Sequence, residues 1–365
     1  MKKTVGLITI IDNDNFGNRL QNYATQEVLK NLGVDIVTIK NARWTNNRHS
    51  IKLIIKKFLI DIKNIFQQKN KNRQKNFIKF NQNIMFSDYK VTINNYRKYL
   101  EKFNYCIVGS DQVWNPMGGG YRDLSPVELL HNIKTKKISF SSSFGISSIP
   151  LELRSTTAQD LKKFDYMSVR EERGKEIVDE LTGRKDIEVL IDPTMALSKT
   201  DWEKVMKKPK MLKSSKYILN YFLGELSLER KLQIENFAKE NGYEIIDILN
   251  PNSKFFECGP SEFLYLEKNA SLICTDSFHS SVFAIIFQRP FLVFDREDKS
   301  ANMSSRLDTL LKKFKMENRK YCKKIEQKDL KCNYADTNKI LEKEQRKVYR
   351  FLMKALELKD SEIHE

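Results

Sequence analysis

Apolar runs and amphipathic stretches alternate along most of the chain. Thr4 to Ile11 is an unbroken, β-branched run of the kind that forms a central parallel strand. The turn-rich Asp12-Asn13-Asp14-Asn15-Phe16-Gly17-Asn18 follows, and then Leu20, Tyr23, Ala24, Val28, Leu29 and Leu32 keep helical spacing until Gly33. Val34 to Ile39 is the next strand, which completes a βαβ unit. Ile51 to Phe66 reads as an amphipathic helix, with a looser polar stretch from 67 to 82 that Phe77, Phe80, Met85 and Phe86 anchor to a core. Strands are predicted at 105–108, 136–140, 166–169 and 187–191, and helices at 96–103 and 151–164.

The lysine-rich stretch 199–215 reads as a surface crossing between halves. A second alternating series follows, with strands at 217–223, 244–249, 272–274 and 290–294. Helices are expected at 227–241, near 261–269 and at 282–287. A further helix begins at Arg306, and 338–358 is a long polar helix. This alternation predicts an α/β fold of two doubly wound sheets. The expected domains are 1–200 and 201–335, with 336–365 as a helix that packs back across them.

Composition narrows the class. With 40% hydrophobic and 30% charged residues, the chain is globular rather than fibrous or low-complexity. No apolar run reaches the roughly 18 residues needed to span a bilayer, and no cleavage-site pattern follows Met1, so a cytoplasmic protein is expected. The five cysteines form no C-x-x-C pair, and the four histidines, at 49, 131, 279 and 364, are scattered, so no metal site is expected. Cys106 and Cys274 sit in apolar runs that place them in a core. The net charge of +17 concentrates between Arg48 and Lys79, where ten Lys or Arg face one acid. Such a face suits an anionic membrane surface, at about 1 kcal/mol per cation, or a simple solvated helix.

Candidate chemistry gathers at strand ends. Ile273-Cys274-Thr275-Asp276-Ser277-Phe278-His279 reads as strand, capped turn and first helical turn, which puts His279 just beyond a strand's carboxyl end. The free N–H groups there attract an anion and disfavour a charged imidazolium, so a neutral His279 is a candidate proton acceptor. Gly109-Ser110-Asp111-Gln112-Val113-Trp114-Asn115 supplies a carboxylate, amides and an aromatic plane suited to a sugar ring. Asp111 is typed for a general base or hydroxyl anchor and equally for an N-cap, while Trp114 fits a stacking platform or a core position. Asn15, Asn18 and Gln21 offer neutral amides for sugar hydroxyls or for capping. Arg170, at a strand-to-helix turn, can take a carboxylate or phosphate bidentately, or pair with Glu171 or Glu172.

Six segments, in order, resemble the polysaccharide pyruvyl transferase family. They are Asn15-Phe16-Gly17-Asn18-Arg19-Leu20-Gln21-Asn22-Tyr23-Ala24, Val108 to Asn115, Ser141-Ser142-Ser143-Phe144-Gly145, Ser168-Val169-Arg170-Glu171, Asp192-Pro193-Thr194, and Thr275 to Ser280. The resemblance implies a GT-B-like fold, two Rossmann-like domains facing across a cleft. It implies transfer of the enolpyruvyl carbons of phosphoenolpyruvate, a co-substrate, to two hydroxyls of a sugar, without a further cofactor. His279 and Asp111 become the catalytic candidates. Arg170, Ser277, Ser280 and Arg306 become donor-binding candidates, and Asn15, Asn18, Gln21, Trp114 and Asn115 acceptor-binding ones. Many family members carry an arginine where this chain has Ser277, so either Arg170, Arg296 or Arg306 supplies that charge or the donor differs within the family. The implied acceptor is a sugar of a surface polysaccharide, capsule or exopolysaccharide, on a lipid or nucleotide carrier, modified at the inner face of the membrane. Two other readings stand beside this one. One is a GT-B-type glycosyltransferase using a nucleotide sugar. The other is a non-catalytic basic binding protein, for which no nucleic-acid recognition pattern is present.

Overall fold

Every strand pairing among the described residues is parallel, and the helices between successive strands return the chain to the same sheet edge. A computed structural model describes residues 2–41, 61–92, 94–115, 130, 133–296 and 305–359, and only the backbone of 41 and 61–67. In chain order the elements are β1 (Thr4–Ile8), α1 (Phe16–Asn31), β2 (Asp35–Asn41), α2 (Asp61–Phe80), β3 (Phe86–Val91), α3 (Tyr96–Leu100), β4 (Tyr105–Val108) and β5 (Lys136–Ser142). Then come α4 (Leu151–Leu161), β6 (Tyr166–Val169), α5 (Glu172–Thr182), β7 (Glu188–Val189), α6 (Pro193–Ala196) and α7 (Lys199–Lys204). The remainder is β8 (Tyr217–Tyr221), α8 (Leu228–Asn241), β9 (Glu244–Asp247), α9 (Pro260–Asn269), β10 (Leu272–Thr275), α10 (Phe278–Phe287), β11 (Phe291–Val293), α11 (Ser305–Lys313) and α12 (Thr337–Ala355).

Two compact units result. Unit 1 comprises Met1–Arg48, Asn81–Leu197 and Leu341–Glu365, and unit 2 comprises His49–Phe80 and Ser198–Ile340. Unit 1 carries a seven-stranded sheet of order β3-β2-β1-β4-β5-β6-β7, and unit 2 a four-stranded sheet of order β11-β10-β8-β9. The alternation expected from the sequence is therefore present in both.

In unit 1, α1 is buried on its polar side as well as its apolar one, so its amides must find partners. Gln26 acts as a surrogate strand residue: its Nε2 donates to the Met85 carbonyl at 2.7 Å, and its Oε1 accepts from the Met85 N–H at 2.9 Å. The same Nε2 donates to Thr38 Oγ1 at 2.7 Å, and that hydroxyl donates to Asn22 Oδ1 at 2.7 Å. This chain of bonds fastens the entry of β3 to β2. The β3 sequence, FSDYKV, is too polar to announce itself, and that edge strand is absent from the sequence reading. Gln345 of α12 donates to the Met195 carbonyl at 2.9 Å, and Lys3 donates to the Leu356 and Glu357 carbonyls at 2.5 and 2.6 Å.

The 61–80 stretch departs from expectation. It belongs with unit 2 rather than with the N-terminal residues, and it is helical through the part expected to be loose. Arg73 is buried between the Phe77 and Phe256 rings, with its guanidinium carbon 5.2 Å from each centroid, and donates to the Phe256 carbonyl at 2.9 Å. Lys69 donates to the Pro251 carbonyl at 2.9 Å. Cations read as a membrane-facing surface thus hold the loop before α9 instead, while the rest of the basic stretch, 48–60, lies outside the described residues. The 199–215 crossing also begins as structure. Ser198 and Asp201 form a capping box, and Trp202 is fully buried with its ring edge-on to Phe283 at 5.1 Å.

Close approach of α2 to the loop before α9 requires Gly259. A Cβ there would lie 2.8 Å from Asn76 Cβ and 3.0 Å from the Asn76 carbonyl carbon and oxygen. Gly259→Ala is expected to lower stability by about 1–3 kcal/mol, measured by urea unfolding; an unchanged midpoint would contradict this docking.

Candidate functional site

Parallel strands place their following loops at one edge, and in unit 1 the loops after β1, β4, β5, β6 and β7 are joined there by side-chain bonds. Asp111 lies just past β4 with φ +78°, a left-handed conformation that costs a non-glycine residue about 1–3 kcal/mol. It is held there because its carbonyl accepts the Val113 and Ser143 N–H groups at 2.7 and 2.9 Å. Its Oδ1 accepts the Gln112 N–H at 2.9 Å, and its Oδ2 accepts from Asn18 Nδ2 in a short bond.

Arg170, just past β6, sends Nη1 to Asp192 Oδ2 at 2.6 Å and to Ser110 Oγ at 3.3 Å, with Nη2 3.5 Å from Asp111 Oδ1. Asp192 accepts further from Ser110 Oγ at 2.6 Å and, on its other oxygen, from the Thr194 N–H and hydroxyl at 3.0 and 2.7 Å. Burial alone would lower the Arg170 guanidinium, but the Asp192, Asp111 and Glu171 carboxylates outweigh it and hold it above its ordinary value. The side chain of Arg170, a donor-binding candidate, is 1% exposed and paired with Asp192.

The acceptor candidates separate. Asn18 touches Asp111 directly. Asn115, itself buried, donates to Gln112 Oε1 at 3.1 Å. Asn15 caps α1 by accepting the Asn18 N–H at 3.2 Å. Gln21 is fully buried and donates to Thr9 Oγ1 at 2.8 Å, which makes it a support beneath the edge. Trp114 packs its ring between Phe144 and Phe164, at centroid distances of 5.1 and 5.6 Å, so the expected sugar platform is a core residue. The sequence names Glu171 only within its motif and as an ion-pair partner for Arg170; its Oε1 accepts from Ser143 Oγ, the Phe144 N–H and the Gly145 N–H at 2.9, 3.0 and 3.4 Å. The signal was available: a Ser-Ser-Ser-Phe-Gly turn leaves N–H groups that need an acceptor.

In unit 2 the loop after β10 delivers the second cluster. Ser277 has extended backbone at the N-cap, yet its side chain makes no capping bond. Its N–H donates to Thr275 Oγ1 at 3.0 Å, and its carbonyl accepts the Ser281 N–H and hydroxyl at 3.1 and 3.0 Å. His279 is the second residue of α10 and is 7% exposed, with its ring edge-on to Phe278 at 5.4 Å. The Arg306 guanidinium of α11 lies 6.0 Å from the Phe278 ring centroid, which brings a buried cation to the motif. Arg296 is engaged elsewhere, donating from Nε to Asp276 Oδ2 at 2.9 Å. Asp276 also accepts the Leu223 and Gly224 N–H groups at 2.7 and 2.8 Å and so ties the β8 and β10 loops together.

Ser280, expected on the donor side, points inward and donates to Glu267 Oε1 at 2.6 Å. Burial pushes the Glu267 carboxyl well above the usual range, only partly offset by that bond. Among the described residues no group of three or more His, Cys, Asp or Glu is placed to hold a metal ion.

The family model for polysaccharide pyruvyl transferases matches residues 15–298, more than three-quarters of the chain, including Asn18, Asp111, Arg170, Asp192 and His279. The chain belongs to the polysaccharide pyruvyl transferase family. It is accordingly a transferase of polysaccharide modification. No curated protein matches its sequence. A solved structure of a putative UDP-N-acetylglucosamine 2-epimerase from Listeria monocytogenes is 10% identical with a TM-score of 0.52, covering 95% of this chain and 90% of that one. The UDP-GlcNAc 2-epimerase from Methanocaldococcus jannaschii is 13% identical with a TM-score of 0.49, over 93% of this chain and 98% of that one. The fold of this pyruvyl transferase family member is α/β and GT-B-like.

Glu267 offers a pH test. Its folded pKa lies above the unfolded value of about 4.3, so the folded chain keeps a proton that the unfolded chain releases. Stability from this group is therefore full below about pH 4 and declines as pH rises toward the folded pKa. Glu267→Gln should unfold in urea with a flatter loss of stability from about pH 5 to about pH 8 than the parent chain. Equal slopes in the two proteins would contradict a neutral Glu267.

Proposed function

We propose that the chain transfers the enolpyruvyl carbons of phosphoenolpyruvate to two hydroxyls of a polysaccharide sugar or of its carrier-linked precursor, forming a cyclic pyruvate ketal and inorganic phosphate. The observation that carries the reading is the cluster on β10–α10–α11, where a nearly buried histidine in a helical first turn has a buried arginine beside its neighbour. That pairing supplies what the donor demands. The enol needs one proton delivered to carbon, and its carboxylate and phosphate need positive charge.

The steps balance as follows. A proton is relayed through His279, accepted at one ring nitrogen and given from the other, to the donor methylene carbon, and positive charge develops on the adjacent carbon. The first sugar hydroxyl forms a bond to that carbon and loses its proton. The carbon–oxygen bond to phosphate then breaks, and the second hydroxyl closes the ring as it loses its proton. Of the two hydroxyl protons, one replaces the proton now in the methyl group and the other leaves on hydrogen phosphate. His279 serves the carbon proton, Arg306 with the α10 N–H groups serves the donor's negative charge, and Asp111 with Asn18 serves the acceptor hydroxyls. Ser277 leaves the α10 entrance uncharged, so Arg306, from another helix, provides the cation.

Phosphate release from phosphoenolpyruvate with candidate acceptor glycans tests this. His279→Ala should slow release by at least about 100-fold while melting at the parent temperature; release unchanged by that substitution would remove His279 from the chemistry. In thermal-shift measurements phosphoenolpyruvate should stabilise the chain. Stabilisation by UDP-sugars without any by phosphoenolpyruvate would indicate a nucleotide-sugar transferase instead.

A further inference from the structure

We infer that Glu267 is a positioning residue for the proposed reaction: through Ser280 it ties the first turn of α10 to α9, and so holds His279 in line with the donor carbon. The inference rests on the reading of His279 as the proton-transfer group, and on unit 2 alone for the tie itself.

Helix α9 packs against α10 and buries Phe263, Leu264 and Leu266 fully, with the Phe263 ring edge-on to Phe283 of α10 at 6.1 Å. Glu267 is as buried as these, at 0% exposed. Its Oε1 accepts from Ser280 Oγ at 2.6 Å, while Oε2 finds no donor among the described residues. One hydrogen bond does not offset the transfer of a carboxyl group out of water. An apolar residue at 267 with alanine at 280 would close the same interface without that penalty, since removing both partners of a buried bond is close to neutral or stabilising. The pair therefore lowers the stability of unit 2. What it supplies is position.

Ser280 is the third residue of α10 and follows His279 directly. At a helix start the N–H groups lack intrahelical acceptors, and the N-cap side chain ordinarily binds one of them. Ser277 does not, for its side chain makes no capping bond. The hydroxyl of Ser281 returns to the Ser277 carbonyl at 3.0 Å and ties the turn to itself. The bond between Ser280 and Glu267 reaches instead to a second helix. That helix is fixed at the same point, because Tyr217 of β8 donates its hydroxyl to the Leu266 carbonyl at 2.8 Å. Strand β8, α9 and the first turn of α10 are thus linked in series, and the series ends one residue from the imidazole. Proton delivery to carbon is sensitive to such placement, since a displacement of about 1 Å can lower a rate by about 100-fold.

Five full-length proteins test this: the parent, Glu267→Gln, Glu267→Met, Ser280→Ala and the double variant Glu267→Met with Ser280→Ala. In phosphate release from phosphoenolpyruvate with an accepted glycan, Glu267→Met and Ser280→Ala should each lower kcat by about tenfold or more and leave KM for phosphoenolpyruvate within about twofold. The double variant should match either single one within about twofold, because both changes remove the same tie. Glu267→Gln keeps an acceptor for the Ser280 hydroxyl and is the neutral counterpart of a carboxyl that burial pushes up, so its kcat should return to within about threefold of the parent. In urea at about pH 8, Glu267→Met should unfold at a midpoint no lower than that of the parent. Parental kcat in Glu267→Met, losses that multiply in the double variant, or a raised donor KM with kcat intact would each overturn the proposal. So would a slow Glu267→Met protein that is also less stable than the parent, the mark of a merely structural group. Amide hydrogen exchange adds a readout without substrate. Residues 277–283 should exchange about fivefold faster or more in Glu267→Met and Ser280→Ala, and at the parent rate in Glu267→Gln. Equal protection in all the proteins contradicts the tie. If the parent releases no phosphate from phosphoenolpyruvate, the donor reading falls, and the exchange comparison still decides whether Glu267 holds the turn.

Discussion

The buried pair between Arg170 and Asp192, at 2.6 Å and with almost no exposed surface, is the interaction on which the carboxyl edge of the large sheet depends. Two ions removed from water cost several kcal/mol each, and their attraction repays this only when every remaining donor and acceptor is engaged. Ser110 and Thr194 engage the two Asp192 oxygens, and Asp111, next to Ser110 in the loop after β4, sets a second carboxylate beside the guanidinium. Removing either charge would strand the other, so the pair fixes the mutual placement of β4, β6 and β7 at their ends. Glu171 extends the arrangement to the loop after β5 through the Ser143 hydroxyl and two backbone N–H groups.

Unit 2 meets the corresponding requirement with different chemistry. Asp276 accepts two backbone N–H groups and Arg296, and so turns a would-be functional carboxylate into a tie between loops. Glu267, whose carboxyl burial pushes well above the usual range, accepts the Ser280 hydroxyl beneath the first turn of α10. Asp276 and Ser280 are thus committed to structure around the first turn of α10. Catalytic motifs often carry as many residues that hold as residues that act.

The fold was legible because its signals are local. Runs such as Thr4 to Ile11 and Leu272 to Cys274 are apolar and β-branched, and both Cys106 and Cys274 lie in the core as those runs require. What escaped depends on partners distant in sequence. The β3 strand alternates polar and apolar residues weakly and is fastened by Gln26, 59 residues away. The 61–80 helix is rich in Lys and Asn, and only its contacts with 251–259 show that Arg73 is a core residue. Among site residues, motif matching named the strand ends but not the direction of each side chain. Ser280 and Trp114 lie at the expected places and turn into the protein, because Glu267 and the Phe144–Phe164 pair are there to receive them. Arg170 shows the same limit: its pairing with Asp192, 22 residues on, is not written in the local sequence around the strand end.

The account turns on the fate of the donor's methylene carbon, since ketal formation must convert it to a methyl group. Phosphoenolpyruvate labelled with carbon-13 at that position, incubated with the protein and an acceptor glycan and followed by NMR, reads this directly. The account predicts a labelled methyl group on a glycan-bound quaternary ketal, with phosphate released in equal amount. Retention of a labelled methylene group in the glycan product, or untouched phosphoenolpyruvate beside a glycan modified from a nucleotide sugar, would contradict it.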